Sequence, residues 1–166
     1  MLEAYRAHVA EREELGVPPK ALDAEWTTEL VKLIQNPPKG EENFLLDLLA
    51  NRIPPGVDEA AYVKAGFLSA LVKDEARSPI IDKPLAVELL GNMLGGYNVA
   101  TLVDLLDHGE LADKAAEQLK NITLVFDAFY DISAKADSDN AYAKEIIQSW
   151  ADAEWFTSKK KVAEEI

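Results

Sequence analysis

Apolar residues recur at helical spacing along most of the chain, and helix breakers cut them into short segments. That pattern admits little except a packing of amphipathic helices. Trp26, Leu30, Leu33 and Ile34 fall on one face, as do Phe44, Leu45, Leu48 and Leu49. Ala60, Val63, Phe67, Leu68 and Leu71 form the next set, then Ala86, Leu89, Leu90 and Met93, then Val99, Leu102, Val103 and Leu106. Pro37-Pro38, Pro54-Pro55-Gly56, Ser78-Pro79 and Gly95-Gly96 stand between the sets. Proline has no N–H to continue a helix and glycine bends freely, so both punctuate. Asp23, Asp58, Asp82, Asn98 and Ser138 occupy helix-start positions, where a short side-chain oxygen can accept from free backbone N–H groups. No alternating segment leads into a hairpin turn.

Asp107-His108-Gly109 reads as a tight turn between helices. Beyond it, Leu111, Ala115, Leu119, Ile122, Phe126 and Phe129 keep one seam without a breaker, which predicts a single long helix through about Ala134. A last helix is predicted over Asp139–Phe156, with Tyr142, Ile146, Trp150 and Ala153 inward. The predicted fold is all-α, with about eight or nine helices and no sheet. Helix pairs over 22–43, 57–94 and 98–134 have lengths near the ~40–47 residues of HEAT and armadillo units. The expected architecture is therefore a HEAT-like stack of antiparallel helix pairs, an α-α superhelix, in which neighbours bury faces that no pair buries alone. A globular bundle satisfies the same short loops. Residues 1–156 are expected to form the domain, and 157–166 a tail or the start of a linker.

Thirty carboxylates face seventeen Lys and Arg, a net charge of −13. Such a surface repels phosphate backbones and anionic membranes, because both bind through cations. No stretch approaches the ~18–20 apolar residues of a membrane helix, and Met1–Glu14 lacks the apolar run of a signal peptide. The chain has no cysteine. A disulfide framework, a thiolate zinc site and a thiolate-held iron–sulfur cluster are thus excluded within it. A cytoplasmic setting fits this composition.

Candidate chemistry is sparse. His8, among Arg12 and Glu11, reads as a surface residue, and His108 as a turn residue between Asp107 and Glu110 with at most a weak divalent-ion site. Glu13-Glu14, Glu41-Glu42 and Glu164-Glu165 are adjacent pairs, which diverge on a helix and read as solvated charge. Lys159-Lys160-Lys161 is too short a basic run to make a nucleic-acid patch. No serine sits in a nucleophile elbow, and Gly95-Gly96 lacks the lysine of a phosphate loop. No catalytic, cofactor-binding or metal-binding residue is assigned. Trp155 and Phe156 fall partly off the core seam of the last helix, so they are the candidate interaction surface, with end-capping of the core as the competing role.

The stretches MLEAYRAHVAERE (1–13), NPPKGEENFLLDLLANRIPPGVDEAAYVKAGFL (36–68), ELLGNMLGGYN (88–98), FDAFYDI (126–132) and AYAKEIIQSWADAEWF (141–156) resemble the start of the aconitase B family of bacterial aconitate hydratases. The resemblance implies a HEAT-like N-terminal domain of a multi-domain hydro-lyase that interconverts citrate and isocitrate. It also implies a four-iron four-sulfur cluster in the full-length parent and none in this chain, whose own role would be accessory. The implied partners are the catalytic domains of the same polypeptide, with a homodimer, other metabolic enzymes and RNA as further associations of the family. Net charge weighs against RNA. A stand-alone helical adaptor for a protein or peptide is the rival reading.

Overall fold

A computed structural model of the 166-residue chain describes residues 1–158. Among the described residues it is all-α. The helices are α1 (Leu2–Glu14), α2 (Ala24–Gln35), α3 (Glu42–Asn51), α4 (Glu59–Val72), α5 (Lys83–Gly91), α6 (Val99–Asp104), α7 (Ala112–Asn121), α8 (Ala128–Asp137) and α9 (Ala141–Asp152). A 3₁₀ turn, Leu105–Asp107, extends α6, and residues 154–158 are again helical. The chain forms two compact units, Met1–Asp82 and Lys83–Ile166. Their boundary falls inside the span 57–94 that was expected to be one helix pair.

In the first unit α2 packs against α3 and α4. Leu30, Ile34, Leu45, Leu49, Ala60 and Leu68 are fully buried there, and all except Ala60 carry the large branched side chain that fills such a seam. Asp23 and Asp58 cap as expected: their carboxylates accept from the N–H groups of Trp26 and Ala60, each at 2.8 Å. α1 is not amphipathic and buries one residue, Tyr5. It stops at Gly16, whose φ of 66° closes the helix end, with Val17 N–H returning to the Arg12 carbonyl.

Tyr5 meets Trp26 edge-on at 5.7 Å and Phe44 at 6.2 Å. Its hydroxyl accepts from Arg52 Nε at 3.0 Å, while Arg52 Nη2 donates to the Pro19 carbonyl at 2.6 Å. Arg6 lies over the Phe44 ring at 4.8 Å and pairs with Glu41 at 2.6 Å. One aromatic anchor and two guanidinium groups therefore hold a helix whose own periodicity would not.

In the second unit α7 is central, packed against α5, α6 and α9, and α8 packs on α6 and α9. Leu90, Leu102, Leu106, Leu119, Ile132 and Ile146 are fully buried. Gly91, at the end of α5, lies under Gln118 of α7, where a Cβ would fall 2.0 Å from Oε1. Any larger residue at this position would require the Gln118 side chain to move.

Three expectations are corrected in this unit. The long helix from Leu111 breaks: α7 ends at Asn121, Ile122–Val125 is not helical, and α8 begins at Ala128. Ile122, Thr123 and Val125 are β-branched, which crowds a helix without forbidding it, and Phe126 then turns the chain at φ 48°. Asn98 starts α6 but does not cap it. Its buried amide donates to the carbonyls of Leu90 (2.7 Å) and Met93 (3.2 Å), stitching the α5–α6 turn. Ser138 ends α8, and the cap of α9 is Asn140, whose side-chain oxygen accepts from Ala143 N–H at 3.0 Å.

Candidate interaction surface

α9 is shorter than expected. It ends at Asp152, and Ala153 takes an extended conformation (φ −62°, ψ 139°). That single step swings Trp155 and Phe156 off the line of α9. Of the expected inward residues only Ile146 is fully buried, joined by Ala143. Tyr142, Trp150 and Ala153 are half-buried. Trp150 is nonetheless fixed, because its indole N–H donates to the Lys120 carbonyl at the end of α7 (3.2 Å), and Phe129 of α8 stacks on it at 6.4 Å and 30°.

Trp155 and Phe156 pack edge to face at 6.0 Å and stay about half exposed, at 49% and 51%. With Thr123, Val125, Phe129 and Trp150 they wall an open hollow of about 320 Å³. No charged residue lines it. A wall of rigid aromatic rings over an uncharged floor suits burial of apolar side chains. Trp155 and Phe156 were legible in the sequence as off-seam aromatics. Phe129 and Val125 were not, because Phe129 fitted the seam of a longer helix and Val125 fell inside that helix.

The other candidates are not brought together. His8 is more than a surface residue: its Nε2 accepts from Lys20 N–H at 3.0 Å and its ring meets Trp26 edge-on at 5.9 Å. His108 is exposed in its turn. Glu13 and Glu14 are exposed, and Glu41 belongs to Arg6. Lys159-Lys160-Lys161 and Glu164-Glu165 lie outside the described residues. Among the described residues no three His, Asp or Glu side chains gather closely enough to hold a metal ion. The cysteine-free chain supplies no thiolate to an iron–sulfur cluster, so no such group fits here.

Two polar features have structural roles. Asp107 pairs with Lys135 and accepts from Asn140. The Lys135 bond first, helped by that charge and by Asn140, holds the Asp107 carboxyl below the usual range. Lys64 on α4 is buried, with its ammonium donating to the Ala50 carbonyl near the end of α3, at 3.5 Å. Burial lowers its pKa to about 8.

By class this is an all-α domain of paired helices with an open aromatic hollow. The family model described as the aconitate B N-terminal domain matches residues 4–156, and the chain belongs to that family. It is similar to aconitate hydratase B of Pseudomonas aeruginosa (64% identical), of Escherichia coli (58%) and of Helicobacter pylori (41%). The first two matches cover 100% of this chain and the third 98%, in each case against 19% of the relative. The chain thus spans about a fifth of the length of these relatives. Among the described residues, no helix is long and apolar enough to cross a membrane.

Proposed function

We propose that this domain is a non-catalytic accessory module of an aconitate hydratase, docking through Trp155, Phe156 and the hollow they wall onto the catalytic part of the same polypeptide. The reaction of that larger protein, citrate–isocitrate interconversion on a four-iron four-sulfur cluster, would be carried by residues outside this chain. The observation that carries the reading is the pairing of two half-exposed aromatic residues at an open apolar hollow with relatives five times as long. Exposed aromatic clusters of this kind mark contact surfaces.

The test compares this chain with the longer protein. Quenching of Trp155 fluorescence by a neutral solute should be strong in the chain and weak in the longer protein, with Trp155→Phe identifying the signal. Equal quenching in both would refute docking at this surface. Hydration of cis-aconitate, followed by absorbance, should be absent for the chain alone, and turnover would refute the accessory role.

A further inference from the structure

Pro18 and Pro19 have no N–H, so Lys20 supplies the next backbone donor after Val17 in the connection between α1 and α2. Its N–H donates to His8 Nε2 on α1 at 3.0 Å. Two guanidinium groups grip the same connection. Arg12 Nε donates to the Pro18 carbonyl at 3.0 Å, and Arg52 Nη2 donates to the carbonyls of Pro19 (2.6 Å) and Lys20 (3.2 Å). Pro18, Lys20 and Ala21 are exposed, so side-chain bonds rather than burial hold this stretch. α1 buries Tyr5 alone, so the same bonds also hold the helix.

Among these bonds, the one to His8 is sensitive to protons near neutral pH. A backbone N–H can only donate, so His8 Nε2 must be bare and the ring neutral, with its proton on Nδ1. Protonation places a second N–H opposite the first and removes the bond. Imidazole changes charge between about pH 5 and 8. Carboxylates ordinarily do so near about pH 4, α-amino groups near about pH 8, and ammonium and guanidinium side chains above about pH 10. A window from about pH 7 to 5 therefore isolates the imidazole.

The groups around His8 pull both ways. Glu11 and Arg12 lie one turn further along α1, and the connection adds Lys20. Arg52, at the end of α3, bonds the Tyr5 hydroxyl, and the Tyr5 ring lies 6.4 Å from the imidazole. α2 brings Trp26, flanked by Glu25, and Glu29 beside the Met1 amino group. Arg12, Lys20 and Arg52 oppose a further positive charge, whereas Glu11, Glu25 and Glu29 favour one. The Trp26 ring, 5.9 Å away, also favours a cation, but the Lys20 N–H opposes it from 3.0 Å, and the nearer group dominates.

We infer that His8 is a proton-operated latch. Neutral, it holds the Pro18–Lys20 connection to α1; protonated, it releases the connection and loosens α1 within the first unit. The released form binds the proton that the bond excludes, so attachment is stronger at pH 7 and weakens as pH falls toward 5.

NMR of the chain tests this. At pH 7 the His8 ring should carry its proton on Nδ1, and the Lys20 amide should be protected from exchange. From pH 7 to 5 that protection, corrected for the pH dependence of exchange itself, should fall on the order of 10-fold, as expected for one lost hydrogen bond. Amides of α1 should exchange faster over the same range. His8 is half-buried, so His8→Gln should keep the helical circular dichroism, and with no titrating nitrogen it should lose the pH dependence. His108→Gln, in the other unit, should retain it.

Constant protection of Lys20 from pH 7 to 5 would overturn the inference, as would an equal loss in His8→Gln. A proton on Nε2 at pH 7 would overturn it too, because the bond could not then exist. Loss at Lys20 with no faster exchange along α1 would overturn the loosening of the helix.

Discussion

The two units finish their surfaces in opposite ways. In Met1–Asp82 the aromatic residues around α1 are closed in. Tyr5 is buried, Trp26 and Phe44 are half-buried against it, and Arg6, Arg52 and His8 cover or tie them. Large apolar residues left open there are Leu15, Val17, Val57 and Tyr62, spread along the sequence. In the second unit Leu124, Phe126, Phe129 and Tyr130 are open within seven residues, and Trp155 and Phe156 are open nearby. The same helical packing supports both units. The difference shows that burial of the seam is a requirement of folding, whereas exposure of aromatics at a break between helices is not. Such exposure is expected where a surface meets something further.

The comparison breaks most directly if the seams are unequal. Leu30→Ala in the first unit and Leu119→Ala in the second each empty a fully buried position and should each cost about 2–5 kcal/mol in urea unfolding. A loss under about 1 kcal/mol at Leu119 would mean that the second unit is loosely packed throughout, and its open aromatics would then need no partner.

Lys64 is a buried charge of the first unit, and its desolvation lowers its pKa. Replacing Lys64 by Met should stabilise that unit by about 1–3 kcal/mol, since an apolar side chain of similar length incurs no desolvation. The sign with pH follows from its lowered pKa. Between about 8 in the folded chain and its ordinary 10.5, the unfolded chain binds more protons, so Lys64 makes stability rise with pH over that window. Urea midpoints measured across this window should climb in the parent relative to Lys64→Met. Parallel curves would remove the assignment.

Phe126→Gly sharpens the contrast at the break itself. Glycine accepts the positive φ that Phe126 strains to hold, so the chain should gain up to about 1 kcal/mol. A loss of similar size would show that the exposed ring contributes packing within the unit. The smallest effect concerns Asp107. Its carboxyl is held below the ordinary range, chiefly by Lys135. The contribution is present at neutral pH and is lost as pH falls through the lowered value. Asp107→Asn should lower stability slightly at neutral pH, flatten a shallow part of the acid unfolding profile, and converge with the parent at low pH.

Much of this was legible from residue order. The apolar period located the faces of α2, α3, α4 and α5, because a helix needs only its own spacing to be amphipathic. Asp23 and Asp58 capped where they were expected, because a cap bond closes within three residues. Trp155 and Phe156 were identifiable as residues off the core seam. The end of α7 was not, since Ile122, Phe126 and Phe129 continue its period and no proline or glycine interrupts them. Nor was the role of Asn98, whose side chain is committed to carbonyls five and eight residues back.

Sequence alone determined that the chain is helical, where most helices start, and that it holds no thiolate chemistry. All of these depend on residue type and on neighbours within one or two turns. The tertiary structure decided where an unbroken apolar run stops being helix, which aromatics are closed in, and that Thr123 and Val125 share a hollow with Trp155 and Phe156. Those outcomes depend on competition between alternative burials across tens of residues, and local spacing carries no record of which burial wins.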